Sequence, residues 1–115
     1  MNEIKLINLT PHEIVVYSFD SKDIILRIPP SGTVARVSVV QQKVGEINGI
    51  PIFKTNYGKV EGLPDPQPNT VYIVSILVLQ ALGGKRSDVV TPDTGVNVIR
   101  DSQGKIIGTK AFVVL

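Results

Sequence analysis

Five polar residues in this sequence have the chemistry of an anion-binding site: Arg36, Arg86, Asp88, Thr91 and Asp93. Arginine can bind a phosphate through two parallel hydrogen bonds, and aspartate can accept a hydrogen bond from a ribose hydroxyl or a base amine. Four of the five lie in GGKRSDVVTPDTG, whose Gly, Pro and Asp content predicts a loop. These residues predict a site for a phosphorylated or nucleotide-type ligand. The alternative is an Arg86 to Asp88 surface pair that only orders the loop, worth less than about 1 kcal/mol.

A single histidine and the absence of cysteine limit the metal sites that this chain can form. One chain of this content cannot supply two histidine ligands or a thiolate, so we expect no metal and no cofactor. His12 joins the predicted ligand-binding residues as an anion contact or a general base beside the first turn. The alternative for His12 is a polar turn residue whose ring bonds to nearby backbone.

Catalytic residues are not expected. Ser75 lies outside any Gly-x-Ser-x-Gly elbow, which argues against a triad of Ser75, His12 and an aspartate. Three aspartates suggest a hydrolytic carboxylate pair, but each lies in a Gly-rich or Pro-rich turn where Asp forms local hydrogen bonds: Asp88, Asp93 and Asp101. We therefore expect a protein that is not an enzyme, with a hydrolase as the third choice of function.

The composition indicates one β-rich domain, residues 1–115. The chain is 43% apolar without Trp, and Val and Ile dominate, which favours strands. The net charge is +2, from 12 Lys and Arg and 10 Asp and Glu, and the cations are scattered, so a nucleic-acid partner is not expected. The first residues show no signal-peptide pattern, and the longest apolar run is about half a membrane span. We therefore expect a cytoplasmic location in the host cell and no membrane partner.

Turn signals divide the sequence into hairpins. Residues 3–9 predict a first strand, and the runs EIVVYSF and DIILRI predict a hairpin across a short polar connection. Residues 34–44 alternate in the manner of a half-buried strand, with Val37 and Val39 on one face. Asn48-Gly49 is a strong hairpin signal because both residues accept positive φ, and IPIFKTNYGKV is the return strand.

The second half predicts a buried strand and one short helix. The connector GLPDPQP carries three prolines, which fix φ and remove backbone donors, so it crosses one end of the domain and leads into the core. NTVYIVS predicts a central strand buried on both faces, with Tyr72 in the core. Ser75 can cap a helix ILVLQAL that Gly83 ends, while one continuous strand is the alternative. After a final hairpin at residues 102–104, the prediction is mainly β, a small barrel or sandwich of antiparallel hairpins with about six to eight strands and one short helix.

Several motifs in this order resemble a family of small uncharacterised proteins encoded by bacteriophages, prophages and bacteria: NLTPHEI, PSGTVARV, GIPIFKTNYGKVEGLPDP, NTVYIVSILVLQAL, RSDVVTPD and RDSQGKIIG. The resemblance covers almost the whole chain. It implies an origin in a mobile genetic element, and it implies no established activity, catalytic residue or cofactor.

Two functions of different classes follow. The leading hypothesis is a non-enzymatic binding protein of phage or prophage origin that sequesters a nucleotide-type small molecule, as an anti-defence sponge. It rests on analogy with other small phage proteins that sequester host nucleotide signals without cleaving them. The alternative is a protein-protein interaction module, either a virion accessory or an inhibitor that docks on a host protein by a strand edge. Long hairpins with exposed edges also predict a homo-oligomer, with Arg36 directed to solvent or across its interface.

Overall fold

The computed structural model describes residues 3–115, which form ten strands and one helix. The elements are β1 (Lys5–Asn8), β2 (Ile14–Tyr17), β3 (Ile24–Ile28), β4 (Arg36–Ile47), β5 (Ile50–Glu61), β6 (Thr70–Ile73), α1 (Ile76–Leu82), β7 (Val89–Pro92), β8 (Val98–Arg100), β9 (Ile106–Thr109) and β10 (Phe112–Val113). The fold is mainly β and sandwich-like, and the described residues form no closed barrel. The predicted fold class is confirmed, with more strands than the six to eight expected.

Two four-stranded sheets form the body of the protein. The first has the order β1-β6-β7-β10, and the second has the order β3-β2-β9-β8. The expected hairpins are present as β2–β3, β4–β5 and β8–β9, while β6 pairs in parallel with both β1 and β7. A parallel neighbour needs a crossover connection, which α1 and the chain after it supply between β6 and β7. The sequence prediction of antiparallel pairing is therefore incomplete for both sheets, because β2 also pairs in parallel with β9 in the second sheet.

Strand β7 corrects one prediction. The segment GGKRSDVVTPDTG was expected to be a loop, yet Val89, Val90 and Thr91 pair within the first sheet. Local composition misled the prediction because Gly and Asp surround a short β-branched run. That run is stabilised by distant partners, with Val89 fully buried beside Tyr72 of β6.

Strand β6 carries the core on both of its faces, as predicted. Tyr72 and Val74 pack with Leu9 and Val89 in one cluster, while Ile73 points to the other side and packs with residues of the second sheet. The side chains of Tyr72, Ile73 and Val74 are each at most 1% exposed. The hydroxyl of Tyr72 donates to the carbonyl of Asp65 at 3.3 Å, so the proline-rich connector is held against the end of this strand.

Helix α1 follows the cap signals in the sequence. The Oγ of Ser75 accepts a hydrogen bond from the amide of Val78, and Gly83 ends the helix in the left-handed region with φ of 61°. Val78 and Leu79 are buried against the core. The helix prediction is confirmed, and the continuous strand is excluded because the cap and the left-handed glycine fix both ends.

Strands β4 and β5 form a two-stranded hairpin, which we call the arm (residues 36–61), turning at Asn48-Gly49 with positive φ at both residues. The hairpin is confirmed, but the expectation of a half-buried β4 is wrong beyond Val37, because no third strand or covering layer lies along the arm in the described part of the chain. Val39 is 40% exposed. The radius of gyration, 16.6 Å, exceeds the ~13 Å typical of a compact chain of this length.

The base of the arm is held tightly. The amide of Ala35 donates to the carbonyl of Leu9 at 3.0 Å, immediately before β4. At the other end, Gly62 has φ of +81°, and a Cβ built there would lie 2.6 Å from the carbonyl oxygen of Val34. Only glycine can adopt this positive φ and also lie this close to the carbonyl of Val34 without a backbone shift. The arm therefore leaves the body from a fixed point.

The NLTPH motif is a turn organised by one buried amide. Asn8 is 1% exposed, and its Nδ2 donates to the carbonyls of His12 (2.8 Å) and Ile28 (3.0 Å). Its Oδ1 accepts from the amide (2.9 Å) and the hydroxyl (2.7 Å) of Thr10. Both donors and both lone pairs of the amide are thus satisfied. Asn8 connects the end of β1 in the first sheet to the end of β3 in the second.

We predict that Asn8→Asp lowers the free energy of unfolding by about 2–4 kcal/mol at pH 7, because a carboxylate then faces two carbonyl oxygens that have lost their donors. Urea denaturation measures the change. Asn56→Asp, at an exposed position of β5, is the matched control and is expected to change stability by less than about 0.5 kcal/mol. Equal effects of the two substitutions would contradict this role of Asn8.

Candidate functional site

The predicted ligand-binding residues separate into two groups in the structure. Arg36, Thr91, Asp93 and His12 line three adjoining clefts on one side of the body. Arg86 lines a different cleft of 240 Å³ beside the end of α1, together with the C-terminal residues. The structure therefore brings four of the six predicted residues to one region and separates the Arg86 and Asp88 pair from them.

The three adjoining clefts meet at Thr10, which lines all of them. The central cleft, of 410 Å³, contains Thr91 and Asp93 and shares Ser75 with a 240 Å³ cleft that Arg36 lines. A third, of 660 Å³, is lined by His12, Glu13 and Lys105 together with mainly apolar residues. We call these three together the Thr10 cleft. Arg36 and Lys105 thus line the two outer clefts, while the central cleft is lined by threonine and serine hydroxyls and by the carboxylate of Asp93.

Asp93 shapes the loop that forms the central wall of the Thr10 cleft. Its Oδ1 accepts from the amide of Gly95 at 2.8 Å, and its Oδ2 accepts from Nδ2 of Asn97 at 2.9 Å. The backbone hydrogen bond from Gly95, followed by the one from Asn97, lowers the pKa of Asp93. Its carbonyl accepts from the hydroxyl of Thr109 at 2.7 Å, which ties the loop to the buried end of β9. Asp93 is therefore charged and fixed in position.

Arg86 forms a clamp within the protein. Its Nε and one terminal nitrogen donate to the two carboxylate oxygens of Asp88, at 2.8 and 2.9 Å. The same terminal nitrogen donates to the carbonyl of Pro64 at 2.9 Å, so the clamp joins the loop before β7 to the proline-rich connector. Both side chains are about one-fifth exposed, at 20% and 18%. The ion pair of the sequence-based alternative is therefore present, but it is more buried than the expected surface pair and also binds the connector at Pro64. A role for Arg86 as a phosphate ligand stays a prediction.

We predict that the clamp stabilises the fold in a pH-dependent way. The hydrogen bonds from Arg86 lower the pKa of Asp88, against the opposing effect of burial. The stabilisation is therefore present in full above the unfolded-state pKa of about 4 and is lost as the pH falls through the lower folded-state value. At pH 7, Asp88→Asn is expected to cost about 1–3 kcal/mol of unfolding free energy.

Thermal and urea unfolding of wild type and Asp88→Asn between pH 2 and 7 measure this difference. Asp23→Asn, which changes an exposed carboxylate on the β2–β3 turn, is the control and should leave stability nearly unchanged at every pH. A stability difference for Asp88→Asn that stays constant down to pH 2 would contradict the clamp.

Ser75 has a structural partner for its hydroxyl, since its Oγ accepts the amide of Val78 at the start of α1. His12 is exposed, and its backbone carbonyl accepts from Asn8. No group of three His, Asp or Glu side chains within residues 3–115 is placed to hold a metal ion.

The arm presents a surface that the sequence prediction missed. Eight of its apolar or aromatic side chains are exposed by more than a third: Val39, Val40, Val44, Ile47, Ile50, Ile52, Phe53 and Tyr57. Ile47 and Ile50 are cross-strand partners at the tip, 61% and 66% exposed, and Ile52 follows on the same face. The signal in the sequence was present, because strands of twelve residues are too long to be covered by a body whose other strands have two to five residues.

Tyr57 connects the arm to the body on one side. Its hydroxyl donates to Oε1 of Gln80 on α1 at 3.2 Å, and β4 and β5 contact this helix near their base. Beyond Tyr57 toward the tip, the β5 residues are exposed. The free part of the arm is therefore its distal half, where the apolar tip lies.

Comparison with family models, with curated proteins and with solved structures found no match for this chain. Within the described residues, no helix is long and apolar enough to cross a membrane.

Proposed function

We propose that this protein is a non-enzymatic interaction module that docks on a protein surface through its arm. The observation that supports the proposal is the exposure of apolar side chains on the distal half of the arm, which no other element covers within residues 3–115. Large exposed apolar patches on soluble chains mark interaction sites, whereas single exposed apolar residues need no explanation. The function is therefore assigned to binding by an extended β ribbon.

The physics of isolated hairpins supports the same proposal. A two-stranded ladder is at best marginally stable in water, and three strands or a packed face are needed for independent stability. The arm packs against the body of the protein only at its base, where Val37 and Val60 contact the core. A bound partner supplies the missing layer over the distal half. Docking then orders the tip and removes the exposed isoleucines from water.

A photo-cross-linking experiment tests the proposed function. We predict that a benzoylphenylalanine replacing Phe53 on the arm, in protein produced in bacterial cells, gives one discrete adduct on irradiation. The same amino acid replacing Phe19 is the matched control, because Phe19 is also an exposed phenylalanine but lies on the β2–β3 turn. The adduct from position 53 should disappear when Ile47→Asp is added and persist when Val96→Asp is added.

Two results would contradict arm docking. One is the absence of a discrete adduct from position 53. The other is an adduct that forms equally well with Ile47→Asp, since that change places a carboxylate at the apolar tip and should lower the yield at least tenfold.

A second candidate function is the holding of a nucleotide-type small molecule in the Thr10 cleft, without turnover. It is favoured by the convergence there of four of the predicted ligand-binding residues. The volumes of 410 and 660 Å³ lie in the range of small-molecule sites, about 300–1,000 Å³. Arg36 and Lys105 are the groups that can bind phosphate oxygens, while the threonine hydroxyls suit a ribose.

We predict for this second candidate that one compound in a panel of mono-, di- and cyclic nucleotides raises the melting temperature by several degrees. A ligand present at one hundred times its dissociation constant adds about 2.7 kcal/mol to stability. Arg36→Gln should abolish the shift, whereas Arg100→Gln, an exposed arginine outside the Thr10 cleft, should preserve it. No shift with any compound would contradict the second candidate and leave arm docking unaffected.

A further inference from the structure

We propose that Asn48, at the tip of the arm, is a site of spontaneous deamidation, in which the asparagine converts to aspartate and isoaspartate through a cyclic imide. This modification needs no partner and does not depend on the docking function proposed above. Three features of the structure support it: an exposed turn with an unhindered backbone nitrogen, weak closure of the tip, and the contrast with a second asparagine of similar conformation.

The reaction uses only the groups of the turn and water. The backbone nitrogen of Gly49 forms a bond to Cγ of Asn48, the bond from Cγ to Nδ2 breaks, and ammonia leaves with the proton of the Gly49 amide. Water then opens the imide. Cleavage at Cγ gives aspartate, whereas cleavage at the backbone carbonyl carbon of Asn48 gives isoaspartate, whose main chain runs through the former side chain.

The turn leaves the reacting groups accessible. Asn48 and Gly49 are both exposed, and within residues 3–115 the Gly49 amide donates no hydrogen bond to the backbone. No atom lies within 4 Å of the position that a Cβ of Gly49 would occupy. A side chain on the residue after asparagine hinders the approach of its nitrogen to Cγ, and glycine has none. Asn48 is the only asparagine of the sequence that precedes a glycine.

The tip is weakly closed, so the main chain of the turn can rotate into the geometry that the imide requires. A bulge between Lys43 and Gly45 interrupts the ladder. Three cross-strand pairs lie beyond it: Gly45 with Ile52, Glu46 with Pro51, and Ile47 with Ile50. Pro51 has no backbone N–H, so its pair with Glu46 cannot exchange two hydrogen bonds. Such an end opens locally at a much lower free energy than the core.

Asn69 is the asparagine to compare with Asn48. It is also exposed, and its φ of 53° is close to the 51° of Asn48. Asn69 precedes Thr70, however, and its carbonyl accepts from the amide of Lys5 at 2.7 Å. Thr70 and Lys5 are partners in the parallel ladder of β6 and β1. A β-branched side chain and a ladder thus both restrain the chain after Asn69, so its deamidation is expected to be slow.

Deamidation alters the arm where its apolar tip lies. Isoaspartate adds a methylene group to the main chain of a two-residue turn, which then no longer fits the pairing of Ile47 with Ile50. Both products place a new carboxylate between these two exposed isoleucines. Loss of docking as the protein ages is the expected consequence. This consequence rests on the proposed function, whereas the modification itself does not.

Peptide mapping by mass spectrometry of the complete chain, incubated at mildly alkaline pH, tests the proposal. Deamidation raises the mass of the peptide that contains Asn48 by about 1 Da, and an isoaspartate-specific methyltransferase labels the isoaspartate product. The same measurement in guanidinium chloride gives the rate for the unfolded chain. In the folded protein, Asn48 is expected to react within about tenfold of its unfolded rate and at least tenfold faster than Asn69.

Thr70→Gly is the matched control, because it places a glycine after Asn69 while the ladder of β1 and β6 still holds that segment. In this variant, Asn69 should react more than about tenfold slower in the folded protein than in the unfolded chain, unlike Asn48. Circular dichroism shows whether the variant folds. If it does not, the comparison of Asn48 with Asn69 in the wild-type protein serves as the test.

A folded-state rate at Asn48 more than tenfold below its unfolded rate would overturn the proposal. Equal protection of Asn48 and Asn69 in folded Thr70→Gly would overturn the weak closure of the tip and with it the proposal as stated. The proposed function is tested separately, by cross-linking of freshly prepared protein. An adduct from position 53 without deamidation overturns only the modification, whereas deamidation without an adduct overturns only arm docking.

Discussion

The buried amide of Asn8 is the interaction on which the rest of the structure depends. It holds the turn after β1 against the end of β3, and so joins the two sheets of the body. The carbonyls of Asn8 and Leu9 accept from the amides of Ser31 and Ala35, which places the chain at the start of the arm. The same turn carries Thr10 to the point where the three clefts meet. The Asn8 side chain and the backbone of the same turn therefore together fix the joining of the sheets, the start of the arm and the position of the cleft.

The arm is the part of the described chain whose apolar side chains are not packed against other residues. Its base is anchored by glycine geometry and core packing, while its tip exposes isoleucines on a ladder of two strands. A fixed base reduces the entropy that docking must overcome, because the direction of the ribbon is already set before a partner arrives. In the proposed function, the geometry at Gly62 fixes the direction in which the arm leaves the body, and Ile47 and Ile50 at the tip contact the partner.

Local chemistry explains which parts of this fold were predictable from sequence. Asn48-Gly49, the Ser75 cap and Gly83 act within a few residues of themselves, and the hairpin and helix they predict are present. Strand β7 and the parallel pairing of β6 depend on partners outside the local sequence, and the short β-branched run at residues 89–91 did not outweigh the Gly and Asp residues around it in the prediction. The exposure of β4 was missed for a related reason, since alternation predicts which face is apolar and not whether anything covers it.

The candidate site was likewise predictable only in part from local sequence. The sequence identified residues with suitable chemistry, and the fold decided which of them meet. Arg86 and Asp88 are two positions apart and form the pair that their spacing allows, which engages their hydrogen-bonding groups within the protein. His12, Arg36 and Asp93 are distant in sequence and line adjoining clefts because Thr10 and its turn lie among them.

Hydrogen exchange of the arm amides in dilute, monomeric protein tests the central claim most directly. If the arm needs a partner layer, amides of residues 41–55 should exchange almost without protection in dilute protein, while amides of β6 stay protected throughout. Strong protection of the arm that is independent of concentration, in protein shown to be monomeric, would contradict the account.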